Sequence, residues 1–285
     1  EGCRFGTDML GSAVACGRIP LEQALALTDK DGLRVGDELA RIGFAGSADH
    51  RIAAPHAFVE VHVEQGPTLA AAGVDLGVVE GVQGIAWWAI TLSGRSAHAG
   101  TTPMALRRDP GVVAARLHVL VDALARSGRF GAQMRATVGR VAPHPGLVNI
   151  VPSQVELTLD LRNPDDDQMA RAEDAIFAEL DAMAAAAGVT VERRRTARTP
   201  RVPFDIGVQQ VIAEAMEARG CTYQRLLSGA GHDAQEFSAL CPTAMVFVPG
   251  LYEGISHNPR EYSTPEACAA GVQVLTDALV RLADG

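Results

Sequence analysis

Lysine is almost missing from this chain: Lys30 is the only one among 285 residues, and the other basic residues are arginines scattered along a sequence of net charge −9. Binding nucleic acid through counterion release needs a basic face, and none is visible, so no nucleic-acid partner is expected. Long apolar runs are missing too. No stretch approaches the roughly eighteen uninterrupted apolar residues of a membrane span, and no membrane partner is expected. Cysteine is sparse and unpatterned: Cys3, Cys16, Cys221, Cys241 and Cys268 are an odd number with no CxxC pair. That predicts buried, reduced thiols in a cytoplasmic protein. GxGxxG, GKS or GKT, and HExxH are all absent, which removes the nucleotide loops and the single-helix zinc signature. No basic and apolar leader opens the chain, and EGCRF begins without a lead-in strand or cap. The sequence therefore reads as the remainder of a longer protein.

What is present, 47% hydrophobic and 21% charged residues, is the composition of a globular protein about two domains long. Three regions separate by pattern. Residues 1–83 contain short helical pieces and then AFVEVHVEQG, a β-rich segment ending at a Gly-Pro turn. Residues 84–198 read β, α, β, β, α, β: IAWWAITLSG, a helix with Val113, Leu117, Leu120 and Leu124 on one face, MRATVGRVA, the alternating QVELTLDLR, a helix after NPDDD, and VTVERRR. The compact solution for that order is a four-stranded antiparallel sheet with two helices over one face. IAWWAIT, long and apolar, is expected at a sheet edge, where pairing with a symmetry mate would cover it. Residues 199–285 return to mixed α/β, with a buried strand TAMVFVP and a last helix whose stripe is Cys268, Val272, Leu275, Leu279 and Leu282.

Eight histidines divide by context. His50, His56, His118 and His144 read as surface or core residues, whereas His62, His98, His232 and His257 stand beside Gly, Glu, Asp, Asn or Thr at predicted strand ends, where open α/β sheets place ligands. His62 and His257 are a plausible share of a divalent-metal site, or satisfied structural histidines; spacing leaves both open. Arg162 with Asn149 suits a substrate carboxylate, and the alternative is a structural strand-end arginine. SGAGHD, residues 228–233, could hold an anion on its backbone N–H groups. Asp165, Asp166 and Asp167 read as helix capping, and Arg193–Arg195 as a solvated strand. Trp87 and Trp88 point to opposite faces.

Taken together, HVEQGP, GVQGI, HAGTTPMALRRD, NIVPSQVELTLDLR, SGAGHDA and ISHNPREY resemble the amidohydrolase branch of the M20 dinuclear metallopeptidase superfamily. That branch contains N-carbamoyl-L-amino-acid hydrolases, allantoate amidohydrolases and β-ureidopropionases. The resemblance runs in order along the whole chain and implies an α/β fold. It would be part of a mixed-sheet catalytic domain for two metals (1–83 and 199–285) with an inserted ferredoxin-like lid and dimerisation domain (84–198). It implies a homodimer carrying two divalent ions per subunit, zinc, manganese, cobalt or nickel, and cleavage of the carbamoyl C–N bond of a small ureido acid. By the same resemblance Glu1, His62 and His257 are metal ligands and Gln65 lies near the carbamoyl group. Asn149 and Arg162 bind the substrate carboxylate, and Gly231 and His232 line the anion loop. His98 polarises the scissile carbonyl from the partner subunit. The family's general base, a glutamate immediately before the position of Glu1, has no counterpart here, nor do the upstream histidine and bridging aspartate, so the chain alone is expected to be inactive. A dipeptidase or deacylase of the same superfamily and a non-catalytic dimeric scaffold are the rival readings.

Overall fold

The computed structural model describes residues 2–46 and 52–284. The chain divides into two compact units: Glu1–Val82 together with Val202–Gly285, and the inserted Gln83–Arg201. The first unit opens with α1 (Gly2–Phe5), α2 (Leu10–Ala15), α3 (Leu21–Ala26), α4 (Val35–Arg41), β1 (Phe58–Val63), α5 (Thr68–Ala72) and β2 (Leu76–Val82). The insertion supplies β3 (Gly84–Ser93), β4 (Ala97–His98), α6 (Pro110–Arg126), β5 (Arg135–His144), β6 (Ile150–Val151), β7 (Gln154–Asn163), α7 (Asp166–Ala187) and β8 (Thr190–Thr199). The first unit then resumes with β9 (Val202–Pro203), α8 (Ile206–Ala218), β10 (Tyr223–Ser228), α9 (Asp233–Phe237), β11 (Thr243–Val248) and α10 (Pro265–Asp284). Among the described residues no helix is long and apolar enough to cross a membrane.

The sheet of the first unit is mixed, in the order β1-β11-β2-β10, with β9 paired to β2. β1 and β11 run parallel, as do β2 and β10, while β11 and β2 are antiparallel. Every residue of β11 is buried, which explains the apolar run at residues 244–248 after Thr243, whose hydroxyl donates to the Cys241 carbonyl at 3.0 Å: a strand covered on both faces has no solvent side to mark with polar residues. The last helix corrects the expected stripe. Gly271, Val274 and Ala278 are its buried face, whereas Val272 and Leu279 are exposed. Small residues face the sheet because α10 lies close on it, and a Cβ at Gly271 would press into the Val248 and Val61 side chains.

The inserted unit is an antiparallel sheet in the order β5-β7-β3-β8. Val155, Leu157, Leu159 and Leu161 of β7 bury with Val113, Leu117 and Val121 of α6 and Met169, Ile176 and Leu180 of α7 in one core. Helix α7 starts where Asp165 accepts from the backbone of Asp167 and Gln168, both at 2.9 Å, and ends at Gly188 in the left-handed region. IAWWAIT is not an edge strand. β3 lies between β7 and β8, because the split β-α-β order sends the first and third long strands to the centre and leaves β5 and β8 at the edges. Trp88 faces the helices, donating to Glu173 Oε1 at 2.7 Å and meeting the Phe177 ring at 4.7 Å. Arg193 and Arg195, expected to be simply solvated, stack over Phe177 and Trp88 at 4.8 and 4.7 Å, so their stems and planar heads shield those rings. Of the cysteines whose side chains are described, Cys241 is buried, Cys16 and Cys221 are half-buried, and Cys268 is exposed, all free; the expectation of uniformly buried thiols is corrected.

Candidate metal centre and active site

Alternation along β1 puts Glu60 and His62 on one face of the strand. His62 Nδ1 lies 2.7 Å from the carbonyl of Val63, so it carries the proton and leaves the Nε2 lone pair for a ligand. Glu64 serves the backbone instead. Its buried carboxylate accepts from the N–H groups of Thr68 at 2.7 Å and Leu69 at 2.9 Å, tying down the start of α5. After β10 the chain crosses to β1, where Phe237 of α9 stacks on Phe58 at 3.9 Å between ring centroids. That crossing delivers His232, whose ring meets the His62 ring edge-on at 4.6 Å.

His232 is 3% exposed. Its Nε2 is 2.7 Å from Ser228 Oγ, and its Nδ1 is 3.8 Å from Glu60 Oε1. Burial, with a smaller contribution from His62, pushes its pKa down to about 3, so the imidazole is neutral. Glu60 is pushed above the usual carboxylate range, chiefly by burial, and the N–H of Ala234, donating to Oε2 at 2.9 Å, works against that shift. Ligand atoms of Glu60, His62 and His232 all lie within 4.8 Å of one another. Two imidazoles and a carboxylate, partly desolvated, match the donor chemistry of zinc and other borderline divalent ions, so the residues fit a metal. Glu60 escaped the sequence reading, although its position two residues before His62 on a strand was the available signal. The expected anion loop uses much of its own donor capacity: Ala230 N–H donates to Ser228 Oγ, His232 N–H to Gln235 Oε1 and Ala234 N–H to Glu60. Gly231 packs closely against Asp8 and Gln235, which a Cβ would strike.

His257 lies on the loop after β11, exposed and with φ of 55°. Gln65 Nε2 donates to Ser256 Oγ at 3.0 Å, and Glu261 accepts from both Ser256 Oγ and the His257 N–H, at 3.0 and 3.1 Å. Gly254, at φ 67°, sits directly against the backbone of Gly66. The turn carrying Gln65 and the loop carrying His257 are thereby stapled together, although His257 is not a member of the three-donor group. Glu1 and His50 lie outside the described residues. His56, His118 and His144 are exposed.

The other expected residues belong to the inserted unit. β4 pairs with β6, setting His98 opposite Ile150, and the N–H of Ala99 donates to the Asn149 carbonyl at 2.9 Å. His98 is exposed, and its Nδ1 accepts from the backbone of Gly100 and Thr101 at 3.0 and 3.3 Å. Arg162 stands on β7 between Ile85 and Arg135, and its Nε and Nη2 donate to Asp160 at 3.1 and 2.8 Å. Asp160 was not anticipated, though its place two residues before Arg162 on the same strand face could have suggested it.

The sequence model of peptidase family M20/M25/M40 matches residues 34–281. An N-carbamoyl-L-amino-acid amidohydrolase of Rhizobium meliloti is 37% identical over 284 residues, covering 100% of this chain and 68% of the relative. An allantoate amidohydrolase of Bacillus subtilis is 31% identical over 285 residues, covering 99% of this chain and 68% of the relative. A hydantoinase/carbamoylase family amidase from Burkholderia vietnamiensis superposes with a TM-score of 0.90 at 38% identity, covering 99% of this chain and 67% of that structure. With the family model matching most of this chain and relatives similar along its whole length, though over only part of their own, the chain belongs to peptidase family M20/M25/M40, in its hydantoinase/carbamoylase amidase branch.

Proposed function

We propose that the protein is a metal-dependent amidohydrolase that cleaves the ureido C–N bond of N-carbamoyl-L-amino acids or related ureido acids. The observation carrying this reading is the convergence of Glu60, His62 and His232 in a chain whose relatives bear amidohydrolase names. Water adds to the ureido carbonyl, the C–N bond to the amino-acid nitrogen breaks, and the products are an amino acid and carbamate, which decomposes to ammonia and carbon dioxide. Two divalent ions per subunit, zinc, manganese, cobalt or nickel, would be held by His62, His257 and Glu1 with further ligands, Glu60 and His232 lying beside His62. The chemistry supplied by bound ions would be Lewis-acid polarisation of the carbonyl and a lowered pKa for water, so that hydroxide would be available near neutral pH. The chain's own side chains bind and orient. Gln65 meets the carbamoyl group, Asn149 and Arg162 hold the carboxylate of the substrate, and His98 donates to the carbonyl oxygen as negative charge develops there. Gly231 and His232 line the anion loop. The protein acts as a cytoplasmic homodimer joined through the inserted unit, with His98 supplied by the partner.

Ammonia release from N-carbamoyl-α-amino acids, allantoate and 3-ureidopropionate tests this reading. It should require divalent metal, stop with chelator, and fall by roughly 100-fold or more in His62→Ala. Metal-loaded protein that turns over none of the panel but hydrolyses dipeptides would replace it with the peptidase reading.

A further inference from the structure

The segment HAGTTPMALRRD brings more to the inserted unit than His98, and Arg107 has no part in the proposed reaction. His98 Nδ1 turns back onto its own chain and accepts the N–H groups of Gly100 and Thr101 at 3.0 and 3.3 Å. A ring nitrogen that accepts does not carry the proton, so the neutral imidazole is the Nε2–H tautomer, and Nε2–H is what the exposed ring offers a ligand. The turn supplying those two N–H groups is itself held. Arg107 donates through Nη2 to the Ala99 carbonyl at 2.6 Å and through Nε to the Thr102 carbonyl at 3.1 Å, spanning the turn from both sides. The N–H of Thr102 returns to the His98 carbonyl at 3.2 Å, closing the loop on the residue it presents. A planar guanidinium is suited to this clamp, because its donors hold two acceptors in a fixed relation, which a single ammonium cannot do.

We propose that Arg107 is a positioning residue: by clamping Ala99 and Thr102 it holds the Gly100–Thr101 turn that fixes His98 as a pre-aligned Nε2–H donor. The clamp rests on the geometry; its catalytic purpose rests on the reading that His98 meets the substrate carbonyl. A donor fixed before substrate arrives needs no reorganisation as the oxyanion forms, the condition under which such a hydrogen bond counts most.

Nitrogen-15 NMR of histidine-labelled, metal-loaded protein reads the tautomer independently of turnover, with the His98 signal assigned by its loss in His98→Gln. The parent should show a bare Nδ1 and a protonated Nε2. Arg107→Met should shift the signal toward a mixture of tautomers and lower kcat roughly tenfold with KM changed less than about twofold, and Arg107→Lys should recover part of both. His98→Gln, which keeps an N–H near the position of Nε2, should retain more kcat than His98→Asn. A parent with the proton on Nδ1 overturns the proposal, and so does an Arg107→Met tautomer identical to the parent's, even with a lowered melting temperature, because that marks a purely structural role. Full activity of His98→Ala beside an intact Nε2–H signal in the parent instead refutes the reading of His98 as a catalytic donor and with it the purpose assigned to the clamp.

Discussion

Replacing Arg162 by lysine separates two roles that the structure superimposes. The Arg162 and Asp160 side chains are 26% and 31% exposed, and Asp160 holds the guanidinium through Nε and Nη2. A partly exposed pair of this kind contributes about 0.2–1 kcal/mol to stability, and lysine keeps the charge, so Arg162→Lys should cost at most about that much in folding free energy. A grip on the substrate carboxylate is a larger quantity. Losing a charged, planar contact costs about 2–5 kcal/mol, which lowers kcat/KM by roughly 30-fold to several thousandfold. The assay compares a ureido acid with the corresponding carbamoyl amine lacking the carboxylate, in parent and variant, alongside chemical denaturation. The acid should lose nearly all the effect and the amine, already a poor substrate, little. An unchanged ratio of the two kcat/KM values refutes the assignment and leaves Arg162 as a strand-end partner of Asp160.

Three further perturbations test the rest of the site. His232 titrates at about 3 when folded against 6.5 as a free side chain; between those values the unfolded chain binds a proton that the folded one refuses. The metal-free protein should therefore lose stability as pH falls from 6.5 toward 3, by up to about 1.4 kcal/mol per pH unit. Urea denaturation of His232→Gln across that range should show a shallower slope, and parallel slopes would remove His232 as a cause. Gly254→Ala puts a Cβ into the Gly66 backbone at a φ of +67° and should push the His257 loop away; calorimetric titration should show metal affinity about 10- to 100-fold weaker, and parental affinity would detach His257 from the metal. Glu64→Ala strands the N–H groups of Thr68 and Leu69 and should cost about 2–4 kcal/mol in denaturation while leaving metal stoichiometry unaltered; a lost ion would make Glu64 a ligand.

Local pattern carried a large part of this molecule. Alternation in QVELTLDLR was enough to assign Val155, Leu157, Leu159 and Leu161 to the core face, and aspartates before an apolar run announced the cap of α7, since both depend on neighbours a few residues away. The order β, α, β, β, α, β led to the antiparallel sheet with its helices on one side. The apolar strand IAWWAIT was expected at an edge and lies between two partners, because its composition is the same in either place and only pairing with β7 and β8 decides. The stripe of α10 failed for a related reason: large apolar residues suggested the buried face, but close approach to the sheet chose Gly271 and Ala278. At the site, His62 was visible as a residue type in a motif, whereas its company was not. Glu60 is close in sequence, but His232 arrives from 170 positions downstream only because the chain crosses from β10 to pack α9 on β1. The sequence by itself therefore determined which faces are apolar, where helices begin and which side chains have the chemistry for a site. Which of those side chains meet was decided by tertiary structure, because donor distances depend on sheet order and crossing connections that no short-range periodicity encodes.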